Sequence, residues 1–229
     1  MHGRKQLIFG VNGYIGRHLA AALLARGDEV IGYDIQESPQ VSGITYSPLD
    51  LSDGTVWTSL DLKCNTIFWM AGLTGTSVGF ERFESFIDIN ERALLFLLDS
   101  LRKRGETPEI FFPSTRLIYR GSELPLTEDA PKEAKTIYAV NKLACENILN
   151  VYWNAFRIPY HVLRICVPYG SRFGNSFSYG TMGMFYKQST EQHEITLWGD
   201  GMQRRTFTQI DDLVRQILFL VDVPDTAGE

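Results

Sequence analysis

The chain has 229 residues, 44% of them apolar, 21% charged and 12% aromatic, with a formal charge of −5. That length suffices for one large domain with an appendage and a substantial core, while the acidic balance and the lack of a Lys/Arg-rich run argue against a nucleic-acid partner. The three scattered cysteines and four histidines match no disulfide framework and no metal spacing, and neither a leader nor a twenty-residue apolar span is visible, so the expectation is a cytoplasmic protein with no metal and no membrane partner.

The first apolar run, "QLIFGV", reads as a buried strand that ends in "FGVNGYIGRH", with Gly10, Gly13 and Gly16 three apart. The helix "IGRHLAAALLARG" follows, closed by Gly27. A glycine triplet alone is weak, but here it lies between a strand and a helix. Gly10 would permit the tight turn, Gly13 the approach of backbone to a pyrophosphate, and Gly16 close helix–sheet packing, with phosphates at the helix N-terminus. Asn12, Tyr14 and Ile15 belong to the same turn. The bland reading, an ordinary glycine-rich βα turn, loses ground to Asp34 at the end of the next strand, "EVIGYD". A carboxylate there can bond both adenine-ribose hydroxyls and would repel a 2′-phosphate. Ile35, Gln36 and Glu37 follow with no base among them, which favours NAD over NADP.

"TIFWMA" and "EIFFPS" are further buried strands, separated by "FERFESFIDINERALLFLLDSLRKRG", whose helical spacing runs to a C-capping Gly105. "YAVNKLACENILNVYWNAF" is another helix, and "YHVLRICV" another strand. Alternating strands and helices predict an α/β fold, a doubly wound parallel (Rossmann) sheet. Residues 1–167 would form the dinucleotide-binding domain. From Pro168 the composition turns to glycine, serine and aromatics, so 168–229 reads as a small, partial substrate-facing lobe, with 206–222 returning to the core. Tyr138 and Lys142 share a helix face, although that spacing alone arises easily by chance.

Together these residues resemble the extended short-chain dehydrogenase/reductase family, in its NAD-dependent nucleotide-sugar epimerase/dehydratase branch. "PLDLSD" is similar to its adenine-contacting segment, implicating Asp50 and Leu51. "FWMAG" resembles the segment beside the nicotinamide ribose, implicating Ala71 and Gly72, and Asn90 falls where the family has an asparagine in a long helix. "FFPSTRLIY" resembles the strand bearing the catalytic hydroxyl, which would be Thr115, with Ser114 beside it for substrate. "TIYAVNKLACE" resembles the family's Tyr-x-x-x-Lys, and "LWGDGMQRRTFTQIDDL" a segment with a sugar-nucleotide phosphate contact, here Arg205. The resemblance also implies a homodimer formed through the helices at about 80–104 and 138–157, and further C-terminal substrate-binding elements beyond "VDVPDTAGE".

Removing a carbinol hydride requires a base for the hydroxyl proton, and free tyrosine is a poor one at neutral pH. Lys142, one turn on, would lower the Tyr138 pKa by about 1–3 units, and the resemblance gives it the nicotinamide ribose as well. Thr115 would orient the reacting oxygen. The stretch after Thr115 carries no carboxylate, which disfavours dehydration. The expectation is an NAD-dependent epimerase of a nucleotide-activated sugar; the alternatives are a reductase or dehydrogenase, or a non-catalytic NAD(H)-binding regulator.

Overall fold

The computed structural model describes residues 3–122, 124–173, 181–191, 194–197, 199–202 and 204–223, so the end of "VDVPDTAGE" lies outside them. The chain divides into two compact units, one ending at Arg164 and one covering Ile165–Pro224.

The first unit is built on six strands, β1 (Lys5–Phe9), β2 (Glu29–Asp34), β3 (Thr45–Pro48), β4 (Thr66–Trp69), β5 (Glu109–Thr115) and β6 (Tyr160–Ile165), in the order β3-β2-β1-β4-β5-β6. The β1–β2, β1–β4, β2–β3 and β4–β5 pairs are parallel. Leu7, Ile8 and Phe9, and likewise Ile67, Phe68 and Trp69, are fully buried; such runs are apolar on successive residues because helices cover both faces of a parallel sheet. On one face Phe9 sits 5.0 Å from Tyr33, 5.6 Å from Trp57 and 5.2 Å from Trp69, centroid to centroid. The strands run outward in both directions from β1, and such a reversal opens a crevice at the carboxyl ends of the central strands. β3, "TYSP", escapes the sequence reading because it is short and mostly polar.

Helix α1 (Tyr14–Ala25) links β1 to β2. The single helix expected over about 80–104 is instead α2 (Val78–Glu81), α3 (Phe83–Phe86), a π-helical turn at Ile87–Arg92, and α4 (Ala93–Arg104). Gly105 closes α4 at φ 67°, as its position predicts. Apolar periodicity does not register the extra residue of a π-turn, and Arg82, at φ −126° and ψ 36°, interrupts the first stretch. Helix α5 (Ile137–Phe156) begins after Thr136, whose hydroxyl accepts from Ala139 N–H.

The second unit has β7 (Val167–Tyr169) paired in parallel with β8 (Phe207–Gln209), and helices α6 (Thr181–Glu191) and α7 (Ile210–Asp222). Gln209 caps α7 by accepting from the backbone N–H groups of Asp211 and Asp212, which place two carboxylates at the positive end of the helix.

Candidate active site

The turn after β1 needs its glycines. Gly10 has φ 82°, and a Cβ there would lie 2.6 Å from Ala71 N; at Gly16 it would lie 2.2 Å from the Gly10 carbonyl oxygen. Gly10 N–H donates to Tyr33 O at 2.7 Å, which ties the turn to β2. Gly13 caps α1 without a side chain, and no acid occupies the first turn, Tyr14 to Gly16. The N-terminal turn of a helix is where backbone amides can receive an anion. Asp34 stands beside them, its Oδ2 accepting from Asn12 N–H at 3.0 Å and its Oδ1 from Gln36 N–H at 3.3 Å. The Asn12 side chain is buried against the next loop. Its Nδ2 donates to Ser38 O at 3.0 Å and its Oδ1 accepts from Gln40 N–H at 2.9 Å, so it braces that rim.

A cleft of about 430 Å³ runs along the carboxyl edge of the strands. Gly10, Gly13, Asp34, Ile35, Asp50, Leu51, Ala71 and Gly72 all line it, so turn, acid and both strand-end segments face one space. Asp50 is held in place by Ser52, whose N–H and hydroxyl donate to its Oδ1 at 2.9 and 2.7 Å. Arg82, Ser85 and Asp88 also line the cleft. No sequence signal marks them, because they sit in the stretch whose spacing predicts one continuous helix.

At Gly72 the cleft meets the chemistry-bearing groups. A Cβ on Gly72 would lie 3.0 Å from Asn90 Oδ1 and 3.7 Å from Lys142 Nζ. Asn90, turned inward by the π-turn, accepts from Leu73 N–H at 2.7 Å and donates to Leu73 O at 3.1 Å. Its own carbonyl accepts the Cys145 thiol at 3.0 Å. Lys142 is buried, with Nζ 4.5 Å from the Phe112 ring centroid and 5.9 Å from that of Tyr138. Thr115, buried at the end of β5, accepts from Leu117 N–H at 3.2 Å, and its hydroxyl acts on the Tyr138 phenol in the direction that favours the phenolate.

Burial overrides the expected proton chemistry of the pair. It pushes the Tyr138 phenol up to about 12, against the opposing pull of the Thr115 hydroxyl, and brings the Lys142 ammonium down to about 8. The expected lowering of Tyr138 by Lys142 is therefore corrected in the chain by itself, because desolvation disfavours the phenolate more than these neighbours favour it.

Ser114, expected beside the substrate, has a partner within the chain. It lies with Phe112 on the face of β5 that α5 covers, and its hydroxyl donates to the buried Glu146 carboxylate. Its side chain is thus committed to Glu146. Arg205 is exposed in the second unit, with its guanidinium donating to the Arg204 carbonyl at 2.8 Å. Among the described residues no group of His, Cys, Asp and Glu could hold a metal ion, and no helix is long and apolar enough to cross a membrane.

Comparison with known proteins adds to this geometry. A family model, the NAD dependent epimerase/dehydratase family, matches residues 6–229. A Bacillus subtilis (strain 168) protein described as an uncharacterized UDP-glucose epimerase, YtcB, is 28% identical, with 98% of this chain and 75% of that one covered. The UDP-glucuronate 4-epimerase of Thermodesulfobacterium geofontis is 25% identical over 91% of this chain and 69% of its own. The UDP-glucuronic acid 4-epimerase from Bacillus cereus, solved with UDP-glucuronic acid and NAD, shares the fold at a TM-score of 0.82 and 24% identity, covering 96% of this chain and 74% of that one.

Proposed function

The chain belongs to the NAD dependent epimerase/dehydratase family, and on that premise we propose that it inverts a carbinol centre of a nucleotide-activated sugar, with NAD as hydride carrier and Tyr138 as base. The observation that carries this reading is the meeting of Thr115, Tyr138 and Lys142 at the Gly72 end of the cleft lined by the glycine turn and Asp34. The relatives named as epimerases of UDP-glucose and UDP-glucuronate support a UDP-sugar as substrate class.

The residues fit a dinucleotide. The first-turn amides of α1 would take its pyrophosphate, Asp34 its adenine ribose, and Lys142 its nicotinamide ribose. Bound NAD would supply the hydride acceptor and a positive charge. Thr115 holds the reacting oxygen against Tyr138, which takes the hydroxyl proton and returns it. The keto-sugar formed in between would accept the hydride back on its other face. Arg205 is our candidate for the diphosphate of the sugar nucleotide. The exposed apolar side chains of α2, α3 and α5 favour a homodimer.

The test is turnover of a panel of UDP-, dTDP-, GDP- and ADP-sugars, alongside calorimetry with NAD and NADP. The expected result is epimerisation of at least one sugar, a loss of about 10²–10⁴-fold in Tyr138→Phe, and tighter binding of NAD than of NADP. Net NADH formation with a released keto-sugar would support a dehydrogenase instead, and NAD binding without turnover a regulator. Tighter NADP binding would refute the role of Asp34.

A further inference from the structure

Helix α5 presents a third polar group to β5, one turn beyond the two already described. Tyr138, Lys142 and Glu146 follow one another at four-residue intervals, a spacing that stacks side chains on one stripe of a helix. Tyr138 meets Thr115, Lys142 meets Phe112, and Glu146 meets Ser114. The Glu146 carboxylate is forked by Arg164 on β6, with Nε 3.1 Å from Oε1 and a terminal nitrogen 2.8 Å from Oε2. Its side chain is only 8% exposed and that of Arg164 21%. The pairing holds the guanidinium pKa above its ordinary value, with the Glu146 hydrogen bond the largest cause.

The same guanidinium reaches the segment between the two halves of the site. Its other terminal nitrogen donates to Tyr119 Oη at 2.6 Å and to the Glu128 carbonyl at 2.8 Å, and the guanidinium carbon lies 5.2 Å from the Tyr119 ring centroid. Tyr119 Oη also donates to Glu128 O at 3.3 Å. The segment then closes on itself, through Arg120 N–H to Pro131 O and Glu133 N–H to Ile118 O, both 2.8 Å. It begins at Thr115 and ends just before Tyr138, so its two ends carry the two hydroxyls that must meet.

We propose that Arg164 and Glu146 form a positioning clamp that sets the Thr115–Tyr138 distance, Glu146 fixing the strand end through Ser114 and Arg164 fixing the 116–133 segment through Tyr119 and Glu128. Neither touches the cleft. A carboxylate taking three hydrogen bonds, one from Ser114 and two from Arg164, and a five-donor fork suit the task, since a planar bidentate pair fixes direction as well as distance. A lysine at 164 would keep the charge but could not span Glu146, Tyr119 and Glu128 O together. The catalytic consequence rests on the proposed roles of Thr115 and Tyr138; the clamping of the segment does not.

The test uses Arg164→Met, Arg164→Lys and Tyr119→Phe in the full chain. The double variant Glu146→Met/Arg164→Met is added so that no buried charge is left unpaired if the single variant fails to fold. Three quantities are read: amide hydrogen exchange across 116–133, NAD affinity by calorimetry, and kcat and KM on the sugar turned over by the parent chain. Removing Arg164 is expected to speed exchange in 116–133 about tenfold or more, since that backbone loses its anchor. NAD affinity should stay within about twofold, and kcat should fall on the order of 10–100-fold with little change in KM, as small misplacements of reacting groups produce. Arg164→Lys should recover part of kcat, and Tyr119→Phe should reproduce part of the exchange effect. Unchanged exchange in both Arg164→Met and the double variant overturns the clamp. So does a loss of NAD affinity equal to the loss of kcat, which would mark general damage. If the parent chain turns over no sugar, the epimerase reading fails while the exchange result still decides the clamp.

Discussion

Burial moves the two titratable groups of the site in opposite directions, Lys142 from 10.5 to about 8 and Tyr138 from 10.0 to about 12. Between roughly pH 8 and 10.5 the unfolded chain therefore holds the Lys142 proton after the folded chain has released it, and stability rises with pH in that window. Above about pH 10 the folded chain keeps the Tyr138 proton that the unfolded chain loses, and stability falls again. For Lys142 the full effect is on the order of 3 kcal/mol. Urea unfolding at about pH 7.5 and 9.5 should show a gain for the parent chain that Lys142→Met lacks. Equal pH slopes in the two proteins would mean that the ammonium is not desolvated. The same shifts say what a cofactor must do here: without added positive charge, Tyr138 stays protonated at neutral pH.

At the scale of elements, the β1–α1 turn makes the sharpest demand on sequence. A methyl at position 16 would overlap the Gly10 carbonyl oxygen, so α1 would have to shift away from the turn that aims its amides. Gly16→Ala is expected to weaken NAD binding at least about tenfold by calorimetry; an unchanged affinity would place the pyrophosphate elsewhere. This turn and Asp34 were legible in the sequence because their chemistry is packed into 25 contiguous residues, where sterics dictate glycine and an acid at fixed positions. The Tyr138–Lys142 pair was legible as a helix-face spacing. The π-turn was not, since one inserted residue barely disturbs an apolar pattern, and with it Arg82, Ser85 and Asp88 went unseen. The partner of Ser114 is hidden for a different reason. Next to Thr115 in sequence, Ser114 lies on the face that meets α5, and nothing in "FFPSTR" marks a carboxylate 32 residues away as its partner. The proton affinity of Tyr138 is not legible in the sequence, because burial is a tertiary property that pair spacing does not carry.

For the whole molecule, the helices of the first unit leave much apolar surface uncovered. Phe80, Phe83, Ile87, Val140 and Val151 are all exposed, an unusual cost for a monomer. Sedimentation should give twice the 26.0 kDa chain mass, and Val140→Glu/Val151→Glu should give the single mass with the fold intact. A monomeric parent chain would rule out this face as a dimer contact. The chain spans 55–75% of the lengths of the first curated relatives it matches, so the activity proposed for it has to be measured on this chain itself. The most direct measurement follows the hydrogen that the mechanism moves. A UDP-sugar carrying deuterium on the carbinol carbon that is inverted, incubated with the chain and NAD in ordinary water, should yield the epimer with essentially all of its label on that same carbon. Loss of the label to solvent, or no epimer from any sugar of the panel, would contradict a hydride passed to the cofactor and back under the control of Tyr138.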